Sequence, residues 1–338
     1  VKKPIFPKLE RWAFYLRVGE VFKVGGWCKT HLLSMRFLTR EDIVYLLDKA
    51  DEFRELLEAS PRYRESLKGL VLVNFFFEPS TRTRVSFEIA GKLLGMQVVN
   101  VDVEVSSLRK GESLRDTIRT LARLKPDVLV IRHSQSGVPE YLARFSPFHI
   151  VNAGDGTHEH PTQALLDLLA IRRTFHHFEG LRVAIVGDVL HSRVARSLSI
   201  GLKSLGSEVI FSGPPTLVPP QVEALGARRV FPVEEAITGA QVIYLLRIQR
   251  ERQEAGYFPS LREYATFFGL KESLWEKAFQ NAFIMHPGPV NRGVEMGYGL
   301  VEHERSLVEE QVTCGLAVRM AVLETLVREG ERIPCGEF

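Results

Sequence analysis

The chain of 338 residues predicts an α/β protein: two doubly wound parallel-sheet domains with the active site in the cleft between them. Three observations predict this class. The length exceeds that of a usual single domain, which implies two domains with separate cores. Short apolar runs that end in polar residues alternate with segments whose apolar residues recur at helical spacing. The alternation then starts afresh at Leu181, just after Gly180. Sheets built this way bind ligands beyond the carboxyl ends of their strands.

Taken in order, Thr39 precedes Arg40, Glu41 and Asp42, a cap with early acids, and Ile43, Leu46, Leu47, Ala50 and Phe53 continue a first helix. Leu70 to Phe77 is an apolar run of strand length, and Val85, Ile89 and Leu93 recur at helical spacing after it. A strand at 98–103, a polar loop at 106–110 and a helix over 112–124 follow. Val128 to Ile131 is a buried strand ending at Arg132, and a strand at 149–153 leads into Gly154-Asp155-Gly156 and an apolar helix to Phe175. The second alternation has strands at 181–188, 209–211, 241–246 and 282–285, a helix at 193–205, and a last helix at 307–327.

Composition narrows the function classes. The three cysteines, Cys28, Cys314 and Cys335, form no Cys-x-x-Cys pair, which fits a reducing cytoplasm. No run is long and apolar enough to span a bilayer. Residues 1–33 carry seven Lys and Arg against two Glu, a surplus of five, whereas the whole chain totals +3. That segment also holds Trp12, Trp27, Phe6, Phe14, Tyr15 and Phe22, too aromatic for a solvated tail, so residues 1–30 are expected to dock on a partner protein, with folding onto their own domain as the competing reading. No nucleic-acid module is recognisable.

The stretch Glu78-Pro79-Ser80-Thr81-Arg82-Thr83-Arg84 opens a helix with cations where the macrodipole disfavours them. Hydroxyls, free first-turn amides and a guanidinium together suit a phosphate. A lone arginine after a strand is usually a solvated loop residue, but Arg82, Arg132, His160, Gln163, Arg193, Arg247 and Gln249 all follow apolar runs. Together they describe a cleft for small, multiply anionic ligands. Gly187 ends a strand, yet the turn continues through His191, Ser192 and Arg193 without the further glycines of a dinucleotide fingerprint. His158, Glu159 and His160 lack the further ligands of a metal site.

These residues carry a family resemblance. Phe76 to Glu88, Ser106 to Thr117, Gly154 to Gln163, Val186 to Arg193, Arg247 to Arg252 and His286 to Arg292 resemble, in order and spacing over about residues 32–330, the aspartate transcarbamoylase catalytic-chain family. The nearest rival family, ornithine transcarbamoylase, shares the S-T-R-T-R loop but typically has a cysteine where Pro287 follows His286. The resemblance implies carbamoyl transfer from carbamoyl phosphate to L-aspartate without metal or organic cofactor. It implies that Ser80, Thr81, Arg82, Thr83 and Arg132 hold the phosphate, and that Thr83, Arg132 and His160 donate to the carbamoyl oxygen. Gln163 and the carbonyls near Gly288 and Pro289 would orient the amino group. Arg193 would take the α-carboxylate of aspartate, and Arg247 with Gln249 the β-carboxylate. Ser106 and Lys110 would reach a neighbouring chain's site in a homotrimer, with a larger assembly through dihydroorotase or a regulatory chain also open, and with a second trimer as the other docking partner for residues 1–30. The implied division is an extension at 1–31, a carbamoyl-phosphate domain at 32–160 plus 307–338, and an aspartate domain at 161–306, of which 161–175 is a linking helix. The alternatives are a catalytically idle scaffold for dihydroorotase and a transcarbamoylase for another amine such as ornithine.

Overall fold

The computed structural model describes residues 27, 29–59, 63–102, 112–249, 260–276 and 282–330. Helix α1 (Arg40–Leu56) opens on a complete capping box: the Thr39 hydroxyl accepts from the Asp42 N–H and the Asp42 carboxylate from the Thr39 N–H. Then come β1 (Val71–Phe76), α2 (Thr81–Leu93), β2 (Gln97–Asp102), α3 (Leu114–Arg123), β3 (Val128–His133), α4 (Val138–Ala143) and β4 (His149–Asp155). The four strands form a parallel sheet in the order β2-β1-β3-β4. Helix α5 (Pro161–Phe175) leads to β5 (Arg182–Val186), α6 (Arg193–Ser204), β6 (Glu208–Ser212), β7 (Arg228–Arg229), α7 (Val233–Ile237), β8 (Val242–Leu245), α8 (Leu261–Phe267), α9 (Glu272–Trp275) and β9 (Phe283–Met285). These strands make a second parallel sheet in the order β7-β6-β5-β8-β9. The closing helix, α10 (Val308–Glu329), packs against α1, α2 and α5.

Burial on both faces explains why the strands read as continuous apolar runs. Successive residues still divide between two cores. In β3, Val128 and Val130 enter the largest apolar cluster while Leu129 and Ile131 face a second one under α3 and α4; in β8, Val242 and Tyr244 divide from Ile243 and Leu245 in the same way. Separate cores for the two halves are therefore not what the packing shows. The largest cluster runs without a break from α1 and β1 through α5 and α6 to β5, β8 and α10, because α5 and α10 lie against elements of both sheets.

Two other expectations change. Two of the three residues that reveal α2 do not face the core: Val85 and Ile89 are 41% and 42% exposed, Leu93 packs against the main cluster, and the buried side is Thr83, Phe87, Ala90 and Gly91. Small residues face inward because the backbone lies close on the sheet; a Cβ on Gly91 would stand 2.8 Å from the Leu72 side chain and 2.9 Å from that of Val98. Trp27, assigned above to a docking segment, is buried in this chain's own main cluster and its indole N–H donates to the Lys29 carbonyl at 2.8 Å. From there the chain runs beside β4, with the Leu32 N–H on the Ile150 carbonyl and the Asn152 N–H on the Leu32 carbonyl. Of the rest of the proposed docking segment, residues 1–26 and 28 lie outside the described residues. Among the described residues no helix is long and apolar enough to cross a membrane.

Strand order marks where a ligand would sit. The first sheet reverses direction between β1 and β3, the second between β5 and β8. Crevices open beyond the carboxyl ends at such reversals.

Candidate active site

At the first crevice Ser80 stands at the N-cap of α2 (φ −159°, ψ 86°), yet its hydroxyl makes no capping bond. Thr83, a turn further on, is buried. Thr81 and Arg82 are exposed at the helix start. Strand β3 continues past the expected end at Arg132 to His133, with a register shift between Ile131 and His133 that re-aims the intervening side chain. Arg132 Nε donates to Glu78 Oε2 at 3.1 Å and its Nη1 to the Ala153 carbonyl at 3.4 Å.

Glu78 also reaches the other half of the molecule. Its Oε2 accepts from Arg193 Nη2 at 2.8 Å, and Arg193 Nη1 donates to the Gly156 carbonyl at 3.3 Å. Arg193 is 3% exposed, the first residue of α6 after a Ser192 cap. Its guanidinium lies flat against Gly154, where φ is +114° and a Cβ would come within 2.8 Å of Arg193 Cζ. Gly154 thus makes both the backbone turn and the close approach possible.

The second crevice is organised by two buried carboxylates. Asp188, which follows Gly187 at the end of β5, accepts from His191 Nδ1 at 2.8 Å and from the Gln249 N–H at 3.3 Å. Glu295 accepts from the Ile248 N–H at 3.1 Å, the Asn291 N–H at 2.8 Å and Asn291 Nδ2 at 2.7 Å. Burial raises its pKa against those bonds. The segment Arg247-Ile248-Gln249 is thereby pinned from both sides. His286, buried beside it, accepts from the Gly288 N–H on Nδ1 at 2.8 Å. Burial, then the charges of Arg82 and Arg247, push its pKa down to about 3. The two arginines also act on each other: desolvation and then Arg247 lower the pKa of Arg82. Gly288 (φ +63°) has the Arg82 guanidinium against its α-carbon, so the S-T-R-T-R loop of one half touches the H-P-G-P turn of the other. Pro289 beside it is exposed.

Between the crevices His160 caps α5, followed by Pro161, and its N–H donates to Ser197 Oγ at 2.9 Å. That hydroxyl donates to buried Glu159, which also takes the Met35 N–H at 2.9 Å. Glu159 is therefore a structural anchor for His160, and among the described residues no group of His, Cys, Asp and Glu could hold a metal. One turn into α5, Gln163 Nε2 donates to Asp167 Oδ1 at 3.0 Å. Asp167 is fully buried; burial pushes its pKa up to about 7, against the hydrogen bonds from Tyr244, Gln311 and Gln163.

The fold thus brings Ser80, Thr81, Arg82, Thr83, Arg132, His160, Gln163, Arg193, Arg247, Gln249, Gly288 and Pro289 to facing strand ends and helix starts. Ser106 and Lys110 lie outside the described residues. Four arginines, Arg82, Arg132, Arg193 and Arg247, outnumber the three carboxylates Glu78, Asp188 and Glu295 set among them, which favours anionic ligands. Sequence reasoning missed Glu78, Glu295, Asp167 and Gln311. Asp167 had a signal, a carboxylate inside the apolar run from Ala164 to Ile171, and Gln311 had none.

Comparison with known proteins agrees with this geometry. Residues 30–173 match the model of the aspartate/ornithine carbamoyltransferase carbamoyl-P binding domain, and residues 179–326 that of the Asp/Orn binding domain. An aspartate carbamoyltransferase catalytic subunit from Caldanaerobacter subterraneus subsp. tengcongensis is 51% identical over 88% of this chain and 98% of its own length. One from Granulibacter bethesdensis is 52% identical over 90% of this chain and 97% of its own. Among solved structures, aspartate transcarbamoylase from Trypanosoma cruzi in complex with carbamoyl phosphate and aspartate superposes with a TM-score of 0.79 at 31% identity, covering 88% of this chain and 97% of that one. Ornithine carbamoyltransferase from Thermus thermophilus reaches 0.79 at 30% identity, covering 89% and 100%. With two family models spanning nearly all of residues 30–326, the chain belongs to the aspartate/ornithine carbamoyltransferase family.

Proposed function

We propose that the chain transfers the carbamoyl group of carbamoyl phosphate to the amino group of L-aspartate, giving N-carbamoyl-L-aspartate and phosphate, an early step of pyrimidine synthesis. The observation that carries the reading is the meeting of the two crevices, with Arg82 against Gly288 and Glu78 joined to both Arg132 and Arg193. One crevice offers a phosphate cradle and the other a pair of carboxylate receptors. The overall fold is equally close to an aspartate and an ornithine enzyme, so local chemistry has to choose between them. Arg247 with Gln249 suits a carboxylate and repels an ornithine ammonium. Relatives at about half identity carry the aspartate name.

The amine attacks the carbamoyl carbon, the bond from that carbon to the oxygen bridging it to phosphorus breaks, and the departing phosphate takes up the proton that the amine loses. Ser80, Thr81, Arg82, Thr83 and Arg132 hold the phosphate. Thr83, Arg132 and His160 donate to the carbamoyl oxygen, whose negative charge grows during attack, so preformed donors favour the transition state. Gln163 and the carbonyls at Gly288 and Pro289 accept from the amino group. Arg193 binds the α-carboxylate, Arg247 and Gln249 the β-carboxylate, and joint placement of the reactants supplies much of the acceleration. The phosphate crevice belongs to residues 32–160 with 307–338, and the aspartate crevice to 161–306.

The working unit is a cytoplasmic homotrimer in which Ser106 and Lys110 complete a neighbour's site. What supports the trimer is a pair of apolar side chains left exposed among the described residues, Val85 and Ile89, 41% and 42% exposed on the outer side of α2. An idle scaffold would have no use for this complete set of anion-binding side chains. Carbamoylation assayed separately with aspartate and ornithine tests the reading: turnover with aspartate is expected, and equal or faster turnover with ornithine overturns it.

A further inference from the structure

Asp167 is an odd residue for its position. It sits in α5 among Ala164, Leu165, Leu166 and Leu168, all buried, where an apolar side chain would continue the packing at no desolvation cost. Its Oδ1 accepts from Gln163 Nε2 at 3.0 Å and from Gln311 Nε2 at 2.7 Å, and Oδ2 accepts from the Tyr244 hydroxyl at 2.7 Å. Gln311 in turn accepts the His286 N–H on Oε1 at 3.0 Å, and His286 Nδ1 accepts from the Gly288 N–H at 2.8 Å.

In this network Asp167 only accepts, its Oδ1 from both amide NH2 groups and its Oδ2 from the Tyr244 hydroxyl, and a primary amide has one donating and one accepting end. Both glutamines turn their NH2 groups to Asp167, which leaves both carbonyl oxygens pointing away from it. One of these holds the start of the 286–289 turn; the other belongs to Gln163 itself.

We propose that Asp167 is a positioning residue that makes the site selective for an acyl phosphate bearing an NH2 group, by fixing the Gln163 carbonyl and, through Gln311 and His286, the 286–289 turn as acceptors. This rests on the carbamoyl-phosphate reading above. The network sets a polarity: if Gln163 were free to rotate, its NH2 would meet the substrate's NH2 as often as its carbonyl does. Acetyl phosphate is the matching probe, since a methyl group replaces NH2 with similar size and no donors. A site with fixed acceptors rejects it because those acceptors are left unpaired.

The test measures kcat/KM for carbamoyl phosphate and for acetyl phosphate, with aspartate saturating, in the full chain and in Asp167→Leu. The ratio between the two donors, compared across variants, cancels their intrinsic reactivities. The variant is expected to lose at least tenfold of the preference for carbamoyl phosphate, mostly as a raised KM for that donor, with acetyl phosphate and the KM for aspartate changed less than threefold. A role confined to stability would lower both donors alike, and an unchanged ratio overturns the proposal. Should Asp167→Leu fail to fold, Gln311→Leu decides: it leaves Gln163 on Asp167 but frees the His286 N–H, and a threefold to tenfold loss of preference is expected, with no loss overturning the idea. If the unaltered chain uses both donors equally well, the proposal falls and the carbamoyl-transfer reading stands. If it uses no carbamoyl phosphate, that reading itself falls.

Discussion

Replacing Glu78 with Gln isolates the one carboxylate that ties the two crevices. Glu78 Oε2 takes Arg132 Nε at 3.1 Å and Arg193 Nη2 at 2.8 Å, and the three side chains are 18%, 15% and 4% exposed. Both bonds end on the one oxygen Oε2, so a glutamine carbonyl in that place keeps both contacts but without the carboxylate charge, and in the flipped amide the NH2 faces both guanidiniums instead. A hydrogen bond to a charged group contributes about 1.5–3 kcal/mol, and the partial exposure of Glu78 argues against a larger figure. Arg193 is the more buried partner and the one proposed to receive the α-carboxylate, so its misplacement should appear in the aspartate arm. A loss of that size at Arg193 corresponds to a fall of about 10- to 150-fold in kcat/KM for aspartate. The assay varies aspartate at saturating carbamoyl phosphate and then reverses the roles, with less than threefold change expected in the KM for carbamoyl phosphate. A kcat/KM for aspartate within twofold of the unaltered chain would refute the argument, and a loss confined to carbamoyl phosphate would assign Glu78 to the phosphate crevice alone.

Glu295→Gln leaves at least one of three donors on Ile248 and Asn291 badly matched, at about 1–3 kcal/mol, so the KM for aspartate should rise while that for carbamoyl phosphate holds; equal effects on both would contradict a role specific to the 247–249 segment. His286, held near pKa 3, stays neutral in the folded chain while an unfolded histidine takes up a proton below about 6.5. Its contribution to stability is present above that pH and is lost as the pH falls toward 3, reaching about 3 kcal/mol by pH 4.5. Denaturant titrations at pH 7.5 and 4.5 should show a smaller acid loss in His286→Gln, and an identical loss would mean that other groups carry it. Mixing Arg82→Ala chains with Lys110→Ala chains should restore some activity, because a mixed trimer can hold a site free of both defects; mixtures as inactive as the separate variants would show that the loop serves its own chain.

The anion-binding side chains were legible in the sequence because each follows an apolar strand, and strand ends are where this fold class binds ligands. Their supports were not. Glu78 lies inside the legible stretch Glu78–Arg84, yet its partner Arg193 is 115 positions away, and only the folded chain joins them. Glu295 and Gln311 act through backbone N–H groups at Ile248 and His286, which leave no trace in residue type. Element type survived better than orientation. The spacing of Val85 and Ile89 identified α2 correctly, but periodicity cannot say which face is inward when small residues such as Ala90 and Gly91 make the tighter contact with the sheet. The short α4, α7, α8 and α9 carry too few turns to show a period.

The chain crosses between its two sheets twice, outward along α5 and back along α10, and these helices pack against each other. A body tethered at a single point can swing in any direction, whereas two neighbouring tethers leave chiefly one easy rotation, about the line that passes through both. Opening or narrowing the cleft about that line is the motion that leaves the α5–α10 packing intact. Sliding one rim past the other, or twisting it out of alignment with its opposite number, would require breaking the α5–α10 packing. Substrate entry and the facing of phosphate and carboxylate receptors are therefore compatible in a single chain: the covalent path lets the mouth change width while keeping its two lips in register.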